Sequence, residues 1–350
     1  MQAAPRPSVP RGRLAAVVLG LPVFVAFAIW AFAWPAARTA PNDLPVGVAG
    51  PPAAAGQVAD ALRSADGAFD VHVYDDGDEA RAAVEDREVY GAFVLSGGPG
   101  GGEGRMDVLT ATAGGPVVAQ LLTQAAQNQA PPGTDVRVTD VVPAPEGDPR
   151  GAAFNTSVLP LAIAGIAGGA LVVTIGIRGL TGVLTLAAAA VLVGAVGAAI
   201  GLGWLGVLAG NWLAVAGVLA LMVLAGGVTV AGIATLIGPA GIGIGALLVM
   251  LLGNPWSGAG SAPELLPEPA STLGRLLPTG AGTSLLRSVS FFDGAGGAFS
   301  LAVLAVWTVL GVAAMLLGAR RGAPGQGGEG GQGGQGSSDL AKNTLSGESR

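Results

Sequence analysis

The sequence predicts an α-helical polytopic membrane protein of about six transmembrane helices, with an extracytoplasmic α/β domain inserted between helices 1 and 2. Three observations predict it. Only 11% of the residues are charged, against roughly 25% in an average soluble chain. From Gly179 to Pro263, 85 residues pass without an Asp, Glu, Lys, Arg or His. Residues 35–154, in contrast, hold 17 acids and 7 arginines and alternate between strand-like and helix-like patterns.

A hydrocarbon slab about 30 Å thick takes about 20 helical residues per crossing. A charge at its centre costs roughly 2.5–3.5 kcal/mol, so the uncharged run reads as three crossings with short turns. The first span is Leu14–Trp34, after a cytoplasmic stub at 1–13. A cleaved signal peptide would carry an apolar stretch of about 7–15 residues, shorter than this 21-residue run. The second and third spans are Thr156–Ile177 and Thr181–Gly203. The fourth and fifth, Leu205–Gly226 and Val228–Leu252, have soft boundaries because no charge separates them. The sixth is Ala298–Gly318.

Arginines set the orientation. Arg6, Arg11 and Arg13 precede span 1, Arg178 links spans 2 and 3, and Arg320 and Arg321 follow span 6. With six crossings all lie on one side, which the positive-inside rule makes cytoplasmic. The expectation is a multi-pass protein of the cell membrane with both termini in the cytoplasm. Gly165 and Gly169, Gly197 and Gly201, and Gly241 and Gly245 each sit four apart, a spacing that lets helix backbones approach closely. Ordinary packing, a hinge and a substrate-facing groove are all compatible with that spacing.

Within 35–154 the expected elements are a strand at Pro45–Ala49, a helix over Pro52–Ala65 and a half-buried strand at Phe69–Tyr74. A charged helix over Asp78–Glu88, a strand at Tyr90–Leu95, a glycine turn at 96–104 and a strand at Met106–Ala111 follow. A helix carrying Val117, Val118, Leu121, Leu122 and Ala125 and a strand starting at Val136 complete the series. Such alternation predicts a small α/β sandwich with a partly parallel sheet.

This domain shows no catalytic pattern. His72 is the chain's one histidine and reads as solvated or as a sheet-edge residue. Asp75, Asp76, Asp78 and Glu79 lack EF-hand spacing and read as a turn capping the next helix. The glycine turn lacks the Gly-Lys-Ser/Thr ending of a phosphate loop, and no Gly-x-Ser-x-Gly elbow is present. With no cysteine in the chain, thiol catalysis and disulfides are excluded. No enzyme activity, cofactor, metal or nucleic-acid partner is expected.

The loop at 254–297 is too apolar for a free linker and is broken by proline and glycine. Short helices at the outer interface are expected there, either anchoring the protein or lining a substrate exit path. The candidate residues are Asn254, Pro255, Trp256, Glu264, Glu268, Arg275 and Arg287. Residues 319–350 are Gly, Gln and Ser with scattered charge, a composition that predicts a disordered cytoplasmic tail.

The layout resembles the ABC-2-type membrane permeases, in their phage-infection-protein-like branch. One helix, a large outer domain, four helices, an outer hairpin of short helices and a last helix recur in that order. Gly238-Pro-Ala-Gly through Leu252-Gly-Asn-Pro, with Pro-Glu-Leu-Leu-Pro, Leu-Pro-Thr-Gly-Ala-Gly and Phe-Phe-Asp-Gly after it, is similar to actinobacterial members. The resemblance implies export of a lipid or hydrophobic small molecule, driven by a separate ATPase subunit; membrane lipid is an expected contact, and the glycine-rich helix faces permit a homodimer or heterodimer without requiring one. One departure stands against it: the link Arg178-Gly179-Leu180 is too short for the helix on which such an ATPase docks. The alternative expectation is a non-transporting cell-surface or secretion-assembly protein whose outer domain binds a partner.

Overall fold

The computed structural model describes residues 11–96, 104–130 and 134–321. Arg6, most of the glycine turn and the tail beyond Arg321 lie outside the described residues. Among the described residues the chain is mostly helical with one small sheet, and five helices are long and apolar enough to cross a membrane.

The α/β domain follows α1 (Arg11–Ala37). Its elements are β1 (Leu44–Ala49), α2 (Pro52–Arg63), β2 (Phe69–Tyr74), α3 (Gly77–Glu85), β3 (Gly91–Ser96), β4 (Arg105–Thr110), α4 (Pro116–Gln129) and β5 (Asp135–Asp140). The sheet runs β2-β1-β3-β4-β5, with β3 and β4 antiparallel and every other neighbouring pair parallel. The partly parallel sheet expected from the alternating pattern is therefore present. Asp76 caps α3 by accepting the backbone N–H groups of Asp78 and Glu79, and Glu79 reaches back to the N–H of Asp75. This reciprocal pair satisfies donors that a helix start leaves open. His72 is exposed and pairs with Asp70 at 3.2 Å. The expected charged helix to Glu88 stops at Glu85, because Arg87 turns into the left-handed region at φ 60°.

Two layers close on the sheet. On one face Leu62 of α2 and Val118, Leu122 and Ala126 of α4 cover Val46, Val48, Phe93 and Val108. On the other, Ala80, Ala83 and Val84 of α3 cover Ala49, Ala92 and Leu109. Both layers admit residues from far along the chain: Ala262 and Leu265 enter the first and Phe292 the second. The domain is thus gripped on both faces by the segment between the last two long apolar helices.

The bundle comprises α5 (Ala152–Ile175), α6 (Gly179–Ala198, continued by a π turn to Trp204), α7 (Trp212–Ile237), α8 (Ala240–Ala246, continued by a π turn to Leu252), α9 (Ala270–Leu276), α10 (Pro278–Phe291) and α11 (Ala298–Arg321). At its centre α7 packs against α5, α6, α8, α10 and α11. Close backbone approach is the means. A Cβ at Gly169 of α5 would collide with the Gly227 carbonyl oxygen, and one at Gly245 of α8 would lie 2.8 Å from the Val230 Cα. Gly197 and Gly201 face the side chains of Leu219 and Leu208 instead; on α6 the close backbone contact is made by Gly194, against the Ala216 carbonyl.

Two expected boundaries are corrected. The fourth long helix runs Trp212–Ile237, not Leu205–Gly226. Gly206 and Gly210 take positive φ and Asn211 caps the helix through Leu213 and Ala214, so residues 205–211 form a turn. Gly226 and Gly227 lie inside the helix, where they receive Gly165. Gly238, at φ 84°, and Pro239 end it. The following apolar helix is consequently 13 residues, Ala240–Leu252. At 1.5 Å per residue it covers about 20 Å, short of a hydrocarbon core of about 30 Å.

A second short helix takes up the remainder of that path. Gly241 and Gly245 of α8 sit on Ala234 and Val230 of α7, while Gly282 of α10 sits on Met222 and Gly210 meets the Val289 carbonyl. Helices α8 and α10 therefore line α7 in series and in the same direction. At their join the Thr279 hydroxyl donates to the Val249 carbonyl at 2.7 Å. Between them residues 253–277 make an excursion to the α/β domain. The expected interfacial hairpin is in this respect a buried one: 11 of the 14 residues of α10 are buried.

Candidate functional site

The excursion and the domain enclose a cavity of about 300 Å³. From the domain come Pro45, Arg87, Glu88, Val89 and Tyr90; the bundle side contributes Glu264, Arg275, Ser284, Phe299 and neighbouring small residues. Backbone bonds fix the rim. The Ala40 and Asn42 N–H groups donate to the carbonyls of Leu265 and Glu264 at 3.1 and 2.9 Å, so Glu264 is carried on an extension tied to the chain that enters β1.

Glu264 is the centre of the polar wall. The Tyr90 hydroxyl donates to its Oε2 at 2.7 Å, and Arg275 approaches its Oε1 at 3.6 Å. Its side chain is only 13% exposed, whereas that of Arg275 is 44% exposed. Burial, with the Glu264 charge beside it, pushes the Tyr90 phenol above its ordinary range, so Tyr90 stays a donor at neutral pH. Arg87 donates to the carbonyl and hydroxyl of Ser284 at 2.9 and 3.1 Å and lies 5.7 Å from the centre of the Phe292 ring. Two cationic and two acidic side chains thus line one cavity, with the exposed Phe299 ring at its edge. Such a wall can bind opposite charges at once.

Of the residues singled out from the sequence, Glu264 and Arg275 meet here. Arg287 is 3% exposed and lies apart, lining a second, much smaller cavity. Its guanidinium sits 4.9 Å from the Phe154 ring centre and donates to the Ala259 carbonyl at 3.0 Å, while its Nε has no protein partner. Trp256 is an anchor: it donates to the Ala31 carbonyl at 3.0 Å and meets Trp30 edge-on, and Trp30 stacks on Trp34. Asn254 and Pro255 form the half-buried turn before it. Glu268 is exposed and caps α9 through Thr272. Neither Asn254, Pro255, Trp256 nor Glu268 lines the 300 Å³ cavity.

The domain's share of the site, Arg87 and Tyr90, was not among the sequence candidates. Their partners Ser284 and Glu264 lie 197 and 174 residues away, and no local pattern announces such a pairing.

The arginines expected to set topology gather as far as they are described. A Cβ at Gly179 would lie 3.6 Å from Ala319 Cβ, which brings Arg178 and Arg320 to the same end of the bundle, remote from the α/β domain. The backbone of Arg11 and Arg13 forms the first turn of α1, whose opposite end enters the domain. At the arginine-bearing end the connections are minimal: Gly176–Arg178 between α5 and α6, and Gly238-Pro239 between α7 and α8.

No protein-family model, curated protein or solved structure matches the chain.

Proposed function

We propose that the chain is a multi-pass cell-membrane protein that takes an amphipathic molecule, a lipid or a hydrophobic small molecule, at the junction between its α/β domain and its bundle, and moves it outward in the manner of a permease. In this reading α1, α5, α6, α7 and α11 cross the bilayer, and α8 and α10 together form one interrupted crossing. The arginine-bearing end faces the cytoplasm, both termini are cytoplasmic, and the α/β domain is extracytoplasmic. Broken helices beside irregular backbone are a recurrent way of building substrate sites in transporters.

The observation that carries the proposal is the junction cavity itself. Its polar wall of Glu264, Tyr90, Arg275 and Arg87 adjoins the apolar Phe299, a combination suited to a molecule with a charged end and an oily end. The resemblance to ABC-2-type permeases points the same way. It also implies a separate ATPase subunit, and the glycine-rich helix faces permit a homodimer or heterodimer.

Against ATP-driven movement stand the two short cytoplasmic connections, of three and two residues, which leave no docking helix between those spans. They favour the second reading, a non-transporting surface or secretion-assembly protein. A deletion strain challenged with a panel of amphipathic toxins separates the two. Transport predicts raised sensitivity to at least one compound, rescue by the wild-type gene, and failed rescue by Glu264→Ala at equal expression. Unchanged sensitivity throughout the panel, together with specific partner capture by the intact protein, would leave only the second reading.

A further inference from the structure

The chemistry of the cavity wall narrows the class of ligand, given the reading that this junction takes an amphiphile. Arg87 and Arg275 oppose Glu88 and Glu264, so the lining is balanced and favours neither a purely anionic nor a purely cationic group. Of the two acids Glu264 is fixed: it is largely covered and Tyr90 holds it at 2.7 Å. Arg275 is loosely held. Its ion pair spans 3.6 Å, its other contact, to the Ser271 hydroxyl, is 3.5 Å long, and its side chain is nearly half exposed. The exposed guanidinium is held only by these two long contacts, so a ligand can part the two groups by offering an anion to one and a cation to the other.

Size and position point to the source of that ligand. A cavity of 300 Å³ is at the small end of pockets for small molecules, about 300–1,000 Å³. It has room for a polar headgroup, and any long apolar tail must lie outside. Apolar side chains wait there: Phe299 is 57% exposed at the cavity edge, and Leu273 and Leu276 are exposed on the short helix that carries Arg275. Indole rings mark the level. Trp307 donates to the Leu276 carbonyl at 2.8 Å, and Trp30, Trp34 and Trp256 cluster at the same end of the bundle. Tryptophan concentrates at the headgroup layer of a bilayer.

We propose that the junction cavity binds the zwitterionic headgroup of a membrane phospholipid from the side, with the phosphate on Arg275 and Arg87, the ammonium on Glu264 and Glu88, and the acyl chains along Phe299, Leu273 and Leu276. The ion pair between Arg275 and Glu264 is then the closed form of an empty site.

Lipid retention by the intact purified protein, measured by native mass spectrometry, tests the assignment. Phosphatidylethanolamine, phosphatidylglycerol and soluble phosphoethanolamine are offered in turn. The zwitterionic lipid should be retained over the anionic one, and Glu264→Gln and Arg275→Met should each lower retention by at least about tenfold, the loss of one charge-assisted contact. His72→Ala, on an exposed strand of the sheet, serves as control and should change nothing. Arg275 is exposed, so its variant remains informative if Glu264→Gln fails to fold. Equal retention of the two lipids, indifference to both substitutions, or binding of phosphoethanolamine as tight as that of the lipid would each overturn the assignment. If the zwitterionic lipid is not preferred but a fluorescent fatty amine still binds in a Glu264-dependent way, the headgroup assignment fails while the broader amphiphile reading stands.

Discussion

The α/β domain and the helical bundle solve the same packing problem with different materials. In the domain, large side chains such as Leu44, Leu122 and Val108 pack into one core on the sheet, and the Asp76 carboxylate caps α3. In the bundle, glycines and alanines bring backbones into contact, and α7 meets its neighbours at Gly165, Gly169, Gly194 and Gly245. The contrast follows from the surroundings. In water, burial of apolar area is itself the driving force; among lipid tails it vanishes, and close van der Waals contact takes its place. A large side chain is therefore an asset in the one region and an obstruction in the other.

Substitutions that exchange the two styles should sharpen the comparison. The largest effect is expected at the seam. Leu265 is fully buried in the domain core although it belongs to the bundle's excursion, so Leu265→Ala should cost about 2–5 kcal/mol. Loss of hydrogen-exchange protection in β1 and β3 would register it; full protection would mean that the domain stands alone. Next comes Gly169→Leu. A Cβ there meets the Gly227 backbone, and overpacking costs about 1–3 kcal/mol, to be read as a lower unfolding temperature in detergent. The reverse style of change, Gly56→Ala on the open face of α2 where a Cβ meets nothing, should stabilise by up to about 1 kcal/mol. Removing a domain cap, Asp76→Ala, should cost about 0.5–2 kcal/mol in the domain's own transition and leave α7 unaffected. His72→Ala should stay within about 0.5 kcal/mol, since the pair with Asp70 is exposed.

How far each region can be read from its sequence follows from the same contrast. Domain elements end at Pro, Gly and Asp that also alternate with apolar residues, so the five strands and three helices were legible almost to the residue. The end of α3 was not, because Arg87 adopts a left-handed turn without a glycine to mark it. In the bundle the 85-residue uncharged run offers little punctuation beyond glycine, with Asn211 and Pro239 at the two ends of α7, and glycine there serves two purposes. Gly226 and Gly227 pack inside a helix, while Gly206, Gly210 and Gly238 bend the chain. Sequence spacing does not separate these uses, which is why the fourth and fifth spans were misplaced. Half of the candidate site showed itself as sparse charge in an apolar loop, at Glu264 and Arg275. Its other half, Arg87 and Tyr90, became recognisable only once the sheet carried it across to that loop.

The division between a region built for water and one built for oil rests on where the two ends of the bundle lie. Because the chain lacks cysteine, a single reporter thiol can be placed at Ser64, exposed on the α/β domain, or at Ser337 in the tail. A membrane-impermeant maleimide applied to intact cells should label Ser64→Cys and spare Ser337→Cys until the membrane is permeabilised. Labelling of both in intact cells, or of Ser337→Cys alone, would contradict the assignment of the arginine-bearing end to the cytoplasm.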